Sequence, residues 1–145
     1  MIDRSSRVTS VREARTHAVP LRVRFGETDA MGVANNAAYL SYFEVGRIEY
    51  LRAIGHSYAE VHDGGIDMVV AEAGIRYLRP LRFDDAFEVE CTCSQIGRAQ
   101  FTFSYVVTRA GERMAEGFTR HACVDRASMR AVRVPAWLAE AVGGP

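Results

Sequence analysis

A carboxylate, a glycine and a helix start crowd together in the run Glu27-Thr28-Asp29-Ala30-Met31-Gly32-Val33-Ala34-Asn35-Asn36. A helix start exposes backbone N–H groups that no helical turn satisfies, and it carries partial positive charge, so it can hold the oxygen of a polarised carbonyl. A carboxylate a few residues upstream can face the carbon of that carbonyl. Asp29 and the backbone N–H groups of a helix that begins at about Asn36 would then supply a nucleophile or base and an oxyanion donor, the two parts that acyl transfer needs. Spacing alone leaves open the plainer alternative that Asp29 only caps a turn.

The flanking elements can be read from periodicity. Leu21, Val23 and Phe25 alternate with Arg22 and Arg24, the period of a half-buried first strand. Asn35 and Asn36 suit a helix cap, and a proline-free apolar stretch from Ala37 to about Ile54 predicts a long helix. Leu40, Phe43, Leu51 and Ile54 mark its face, while Tyr39, Tyr42, Val45, Ile48 and Tyr50 widen it. Glu44 can pair with Arg47, and Glu49 with Arg52. Gly46, costly inside a helix by about 1 kcal/mol, is expected where another backbone comes close.

Strand signals follow at about 67–78, 86–96, 99–109 and 112–125, with tight links at Gly97-Arg98 and Ala110-Gly111 that predict antiparallel hairpins. A short sixth strand at Ala131–Val134 and a terminal helix at 136–142, opened by Pro135, complete the pattern. One helix against a curved antiparallel sheet of five to six strands is an α+β arrangement. Residues 1–18, polar and arginine-rich, read as a mobile arm preceding one domain at 19–145.

With 18 acidic and 18 basic residues the formal charge is zero, so no overall field draws the chain to nucleic acid or an anionic membrane. All the basic residues are arginine, which excludes Schiff-base chemistry on lysine and a phosphate loop ending in Gly-Lys-Ser/Thr. No apolar run suits a signal peptide or a spanning helix, so a cytoplasmic location without membrane insertion is expected. Cys91 and Cys93 share one face of a strand as small core residues. Neither they nor Cys123 fit a zinc spacing, and no metal is expected. His56 and His62 match no metal-binding helix pattern, and there is no Gly-x-Ser-x-Gly or Gly-x-Gly-x-x-Gly run.

The run FGETDAMGVANNAAYLSYFEVGRIEYLRAIG resembles the 4-hydroxybenzoyl-CoA thioesterase-like branch of the hotdog superfamily, and the likeness continues through YLRPLRFDD and EGFTRHACVD. The resemblance implies a hotdog fold, with the long helix wrapped by the sheet, and an acyl-CoA thioesterase that needs no cofactor. It implies that Asp29 attacks the thioester carbonyl or activates a water, and that the Asn36 N–H polarises the carbonyl. Gly32 and Tyr39 complete the motif as substrate-binding positions. The chain departs from relatives that carry a tyrosine or histidine where it has Ala34, Asn35 and Asn36. It also departs from those with a basic cluster where it reads Ile96-Gly97-Arg98-Ala99, so that Arg98 alone remains to meet a nucleotide phosphate. A homodimer or homotetramer is implied, with acyl-CoA as the other partner.

Glu72, in the apolar run Met68–Ile75, must have a partner or face the pocket, and it is a further substrate-binding candidate. His121, inside a strand, suits a hydrogen-bonded core histidine. Arg76, Arg79 and Arg82 could meet CoA phosphates or pair with Asp84 and Asp85. The rival readings are a hotdog hydratase or dehydratase, which needs a histidine beside Asp29, and a non-catalytic acyl-CoA-binding module. The acyl group, CoA against acyl-carrier protein, the nucleophilic or general-base role of Asp29, dimer against tetramer, and the pathway are not encoded in the spacing of side chains.

Overall fold

Alternating apolar residues become five antiparallel strands that wrap one helix in a computed structural model describing residues 16–143. The elements are β1 (Thr16–Arg22), α1 (Ala38–Ala53), α2 (Tyr58–Asp63), β2 (Ile66–Tyr77), β3 (Ala86–Ile96), β4 (Gln100–Arg109), β5 (Glu112–Asp125) and α3 (Ala136–Gly143). The sheet order is β1-β3-β4-β5-β2, so the strand that follows the helices in sequence ends at the edge opposite β1. β3–β4 and β4–β5 are hairpins in the expected places. Ala110 and Gly111 both have positive φ, 51° and 83°, the pairing that a tight hairpin twisted like its strands demands.

The first strand begins earlier than its alternation suggests. Thr16, His17 and Ala18 already pair with Thr92, Cys91 and Glu90, so the expected arm at 1–18 overlaps the sheet, and residues 1–15 lie outside the described chain. Phe25 is not a strand residue either. The chain leaves the sheet after Val23, whose N–H and carbonyl bond the backbone of Asp85 and Asp84, and turns through a 3-10 segment at Phe25–Glu27 that leaves Phe25 77% exposed. No sixth strand forms among the described residues. Ala131 makes one isolated bridge to Val124, and the Val132 and Val134 N–H groups bond the carbonyls of Cys123 and Arg98.

The core lies between α1 and the inner face of the sheet. Tyr39, Tyr42, Phe43, Gly46, Tyr50 and Leu51 form the buried face of α1, whereas Leu40, expected inward, is exposed. Phe43 stacks on Tyr105 at 4.2 Å between ring centres, and Tyr42 tilts against Phe87 at 4.7 Å. At Gly46 it is side chains that come close: an added Cβ would sit 3.0 Å from Val89 Cγ1 and 3.6 Å from Cys91 Cβ. Gly117 is tighter still, since a Cβ there would meet the Gly74 carbonyl at 2.5 Å and the Phe43 ring at 2.7 Å. These two glycines let the helix settle into the curved sheet, so α1 runs from Phe87 of β3, against Tyr42, to Phe103 of β4, against Tyr50.

Candidate active site

The segment from Glu27 to Asn35 folds as a small hairpin. Thr28 bridges Ala34, the Asp29 N–H donates to the Val33 carbonyl at 2.9 Å, and the Asn35 N–H donates to the Glu27 carbonyl at 2.8 Å. Its turn closes through the Gly32 N–H to the Asp29 carbonyl, 2.9 Å, with Gly32 at φ +77°. A Cβ at Gly32 would meet no atom within 4 Å, so glycine is needed for conformation and not for space. The hairpin is stitched to the segment before β3 by Ala34 N–H to Leu81 carbonyl, 2.8 Å, and Phe83 N–H to Gly32 carbonyl, 3.3 Å.

Asn35 couples this hairpin to the helix. Its Nδ2 donates to the Glu27 carbonyl at 2.9 Å, and its Oδ1 accepts from the Ala38 N–H at 2.9 Å. The cap therefore comes from Asn35 alone, while Ala37 at the formal cap position has helical backbone and no side chain to offer. The Glu27 side chain makes a second fastening. It accepts from the Tyr42 hydroxyl at 2.8 Å, the Arg24 N–H at 2.9 Å and Arg24 Nε at 2.7 Å. Burial alone would raise the Glu27 carboxyl, but the Arg24 N–H, the Tyr42 hydroxyl and the Arg24 guanidinium outweigh it and hold it below the usual carboxylate range. The Tyr42 phenol is pushed up, by burial first and then by its bond to Glu27.

In this frame Asp29 is exposed. Its Oδ1 accepts from the Met31 N–H at 2.8 Å and, at the long distance of 3.4 Å, from the Val33 N–H. Oδ2 accepts from no group among the described residues. Asp29 thus does cap a turn, and the capping uses only one of its oxygens. The backbone N–H of Asn36, at the same end of α1, donates to no acceptor among the described residues. Asn36 itself lines a hollow of about 210 Å³, together with Val33, Ala34, Tyr39, Tyr77, Leu78, Pro80 and the charged Arg79. Phe25, Met31 and Phe83 stand exposed on or next to the Asp29 hairpin, with Phe25 edge-on to Phe83 at 5.5 Å.

Asp29, Gly32, Asn36 and Tyr39 are therefore gathered at one end of α1. Glu72 and Arg98 are not. Glu72 is exposed, not buried in an apolar strand as expected, and it is paired: Arg120 donates to Oε1 through Nη2 at 2.7 Å and Nε at 3.0 Å, on the outer side of edge strand β2. Arg98 sits in the β3–β4 turn, a strand of eleven residues away from Asp29, on the order of 35 Å at strand rise. Tyr77 was not singled out by the sequence, because it ends an apolar strand like any packing residue. Its hydroxyl donates to the Asn36 carbonyl at 3.0 Å.

The remaining candidates are structural. Glu49 pairs with Arg52 at 3.2 Å as expected, whereas no Glu44–Arg47 ion pair forms among the described residues. Asp84 pairs with Arg22 and Asp85 with Arg109, not with the arginines nearer in sequence, while Arg79 pairs with Glu112 at 2.6 Å. His121 is buried, with Nδ1 3.2 Å from the Met68 carbonyl and Nε2 2.8 Å from Thr119 Oγ1. Larger hollows of about 540 and 430 Å³ lie on the outer face of the sheet, over Ser104 and Phe118, and beside α2. Neither contains Asp29 or the start of α1.

The family profile of the thioesterase-like superfamily matches residues 23–142. An acyl-CoA thioesterase, YbgC, of Haemophilus influenzae is 32% identical over 117 residues, which are 80% of this chain and 86% of that one. The crystal structure of a hypothetical protein from Aquifex aeolicus superposes with a TM-score of 0.79 at 35% identity, covering 86% of this chain and 98% of that one. A DHNA-CoA thioesterase from Staphylococcus aureus superposes with a TM-score of 0.79 at 25% identity, covering 81% and 80%. A five-stranded antiparallel sheet around one long helix is the hotdog architecture, and the class expected from the sequence, thioester hydrolase, is the class of the matching family. The chain belongs to the thioesterase-like superfamily.

Proposed function

We propose that the chain hydrolyses an acyl-CoA thioester to the free acid and CoA, with Asp29 as the catalytic carboxylate and the Asn36 N–H receiving the carbonyl oxygen. The observation that carries this reading is the division of labour at Asp29. One oxygen is held by turn amides and the other accepts from no described group, beside a helix start whose N–H has no described acceptor and a partly apolar hollow. As the thioester carbon turns tetrahedral, charge gathers on its oxygen, where a fixed N–H stabilises it. The carbon–sulfur bond then breaks and CoA leaves as thiolate, a tolerable leaving group because thiols ionise near pH 8.5. Asp29 can form the new carbon–oxygen bond itself, giving an acyl-enzyme anhydride that water opens, or it can take the proton of an attacking water. Gly32 shapes the turn, and Tyr39 walls the hollow. No cofactor takes part.

The site is completed in this reading by a second copy of the chain. β2 bonds β5 on one side only, runs for twelve residues, and exposes Val70 to Ala73. The opposite edge, β1, has seven residues and is interrupted by Pro20, which cannot donate to a ladder. A long bare edge calls for a partner strand, and Phe25, Met31 and Phe83 offer apolar surface beside the site for it or the acyl chain to cover. Glu72 and Arg98 could meet substrate only at such a shared site. No helix among the described residues is long and apolar enough to cross a membrane. The reading places the enzyme in the cytosol, where Cys91, Cys93 and Cys123 stay reduced.

A hydratase reading requires a histidine beside Asp29. Of the strand histidines, His121 is committed to Met68 and Thr119 under the helix, and His17 sits opposite Cys91 in β1, five strand residues before Arg22 at the end of β1 from which the chain runs on to Asp29; this favours hydrolysis. The deciding experiment is thiol release from short, medium, long and aromatic acyl-CoAs by the wild type and by Asp29→Asn. Release by the wild type and a loss of about 10²-fold or more in a folded variant supports the proposal. Equal rates in the two proteins overturn the role of Asp29. No release from any acyl-CoA, with release from acyl-carrier protein, reassigns the substrate.

A further inference from the structure

Tyr77, the last residue of β2, is 44% exposed, so water was available to its hydroxyl. Instead the hydroxyl donates to the Asn36 carbonyl at 3.0 Å, and the residue is fixed in that pose from two sides. The N–H groups of the next two residues, Leu78 and Arg79, both bond the Met114 carbonyl, at 2.9 and 3.0 Å, which anchors the strand end. The ring meets Tyr39 edge-on, 5.0 Å between centres at 85°. On the other side of Asn36, the Asn35 carbonyl accepts from the Ala38 N–H at 3.0 Å. Both peptide planes flanking Asn36 are thus held through their carbonyls. A bond to a carbonyl also polarises its whole amide, and neighbouring hydrogen bonds strengthen one another in this way. The amide that Tyr77 polarises is the one whose N–H belongs to Ala37, immediately next to the N–H assigned to the thioester oxygen.

We infer that Tyr77 is a positioning residue, holding the helix-start amides from the edge strand so that they meet the developing oxyanion of the acyl thioester. This rests on the proposed roles of Asp29 and Asn36. It gives β2 a second task beyond closing the sheet, since the register of its last residue sets the attitude of the catalytic helix start.

The test is Tyr77→Phe, which keeps the ring and removes only the hydroxyl. It is assayed beside the wild type and Asp29→Asn for kcat and KM, for thermal unfolding, and for the carbonyl carbon resonance of Asn36 and the amide resonances of Ala37. Losing an oxyanion donor outright costs roughly 10²- to 10³-fold, and loosening one should cost less, on the order of tenfold in kcat. KM and the unfolding temperature should stay near wild type, and the Asn36 and Ala37 resonances should move. An unchanged kcat with an inactive Asp29→Asn overturns this inference and leaves the proposed function standing. A rise in KM with kcat unchanged makes Tyr77 a substrate wall and overturns it too. Full activity in Asp29→Asn overturns the underlying reading, and the inference falls with it. If the wild type releases no thiol, unmoved resonances in Tyr77→Phe overturn the positioning role without recourse to turnover.

Discussion

Two polar clusters meet the long helix, one at its start and one beneath its middle, and each contains a residue type that enzymes use. At the start, Asp29 is exposed, with one oxygen bonded and one open. Beneath the middle, the Tyr105 hydroxyl lies 2.6 Å from Thr119, and Thr119 lies 2.8 Å from His121, which ends on the Met68 carbonyl. A carbonyl only accepts, so His121 carries its proton on Nδ1, Nε2 accepts from Thr119, and Thr119 accepts from Tyr105. Every link runs in one direction, and the chain ends on a backbone carbonyl. Burial, chiefly, lowers the His121 imidazole to about 4. A strongly perturbed group is often a functional candidate. Here the perturbed histidine has nothing left to offer a substrate, and what marks Asp29 is an unused oxygen within reach of solvent.

The sharpest way to break this comparison is to remove charge from each cluster and ask which property fails. Asp29→Asn should lose about 10²-fold or more in kcat/KM, yet shift stability by no more than about 0.5 kcal/mol, since its turn bonds can be kept by the amide oxygen. Parallel turnover and urea unfolding check this. A loss of activity explained by unfolding would place Asp29 with the structural cluster.

The buried cluster should answer to pH. The folded-state value of His121 lies below its ordinary 6.5, at about 4, so the unfolded chain takes up a proton that the folded chain refuses. Its contribution to stability is therefore complete above about pH 6.5, falls as pH drops toward 4, and levels off below that. The difference corresponds to roughly 3 kcal/mol. Urea midpoints between pH 7 and 4 should show this slope in the wild type. The slope should be smaller in His121→Gln, which cannot titrate. An equal slope in both would assign acid sensitivity to the carboxylates, Glu27 among them.

How much of this was legible in sequence differs between the clusters for a physical reason. The Asp29 turn is local: Asp29, Gly32, Asn35 and the helix start lie within a few residues, and local hydrogen bonds determine their geometry, so spacing could carry it. The strands and hairpins were legible because alternation and turn residues are local as well. The His121 chain links β2, β4 and β5, and nothing in the spacing says that Thr119 will lie between Tyr105 and His121. For the same reason spacing does not single out Tyr77, and it matches Arg47 to Glu44, three residues away, in a pair that does not form among the described residues. Phe25 misled because its alternation continues after the backbone has left the sheet at Val23.

Asn35 tests whether the start of the helix is held as firmly as its middle. Asn35→Ala deletes two side-chain bonds, to the Glu27 carbonyl and from the Ala38 N–H, while the backbone bonds of the hairpin remain. Loss of a helix cap costs about 1 kcal/mol, and the activity should fall on the order of tenfold as the Asp29 hairpin loosens against Asn36. Asn36→Ala, which leaves the backbone N–H in place, should do less to either property. Denaturation and turnover of the pair measure the difference, and equal effects would mean that the side chain of Asn36 itself contributes.

The smallest effect is expected at Glu72, which belongs to neither cluster. Its bond to Arg120 lies on an exposed face, and Arg120 keeps a contact to Gln100 Oε1 at 3.1 Å if Glu72 is neutralised. Exposed ion pairs contribute about 0–1 kcal/mol, so Glu72→Gln should stay within that range in stability. Within one chain Glu72 is also five strand residues from Tyr77, roughly 16 Å, too far to touch a thioester at Asp29. Turnover should then be unchanged, unless a second copy pairs along β2 and brings its Glu72 toward the site. A drop of about tenfold in kcat/KM without a stability change would therefore be informative: it would place substrate contact on the edge strand and require that the site be shared between two chains.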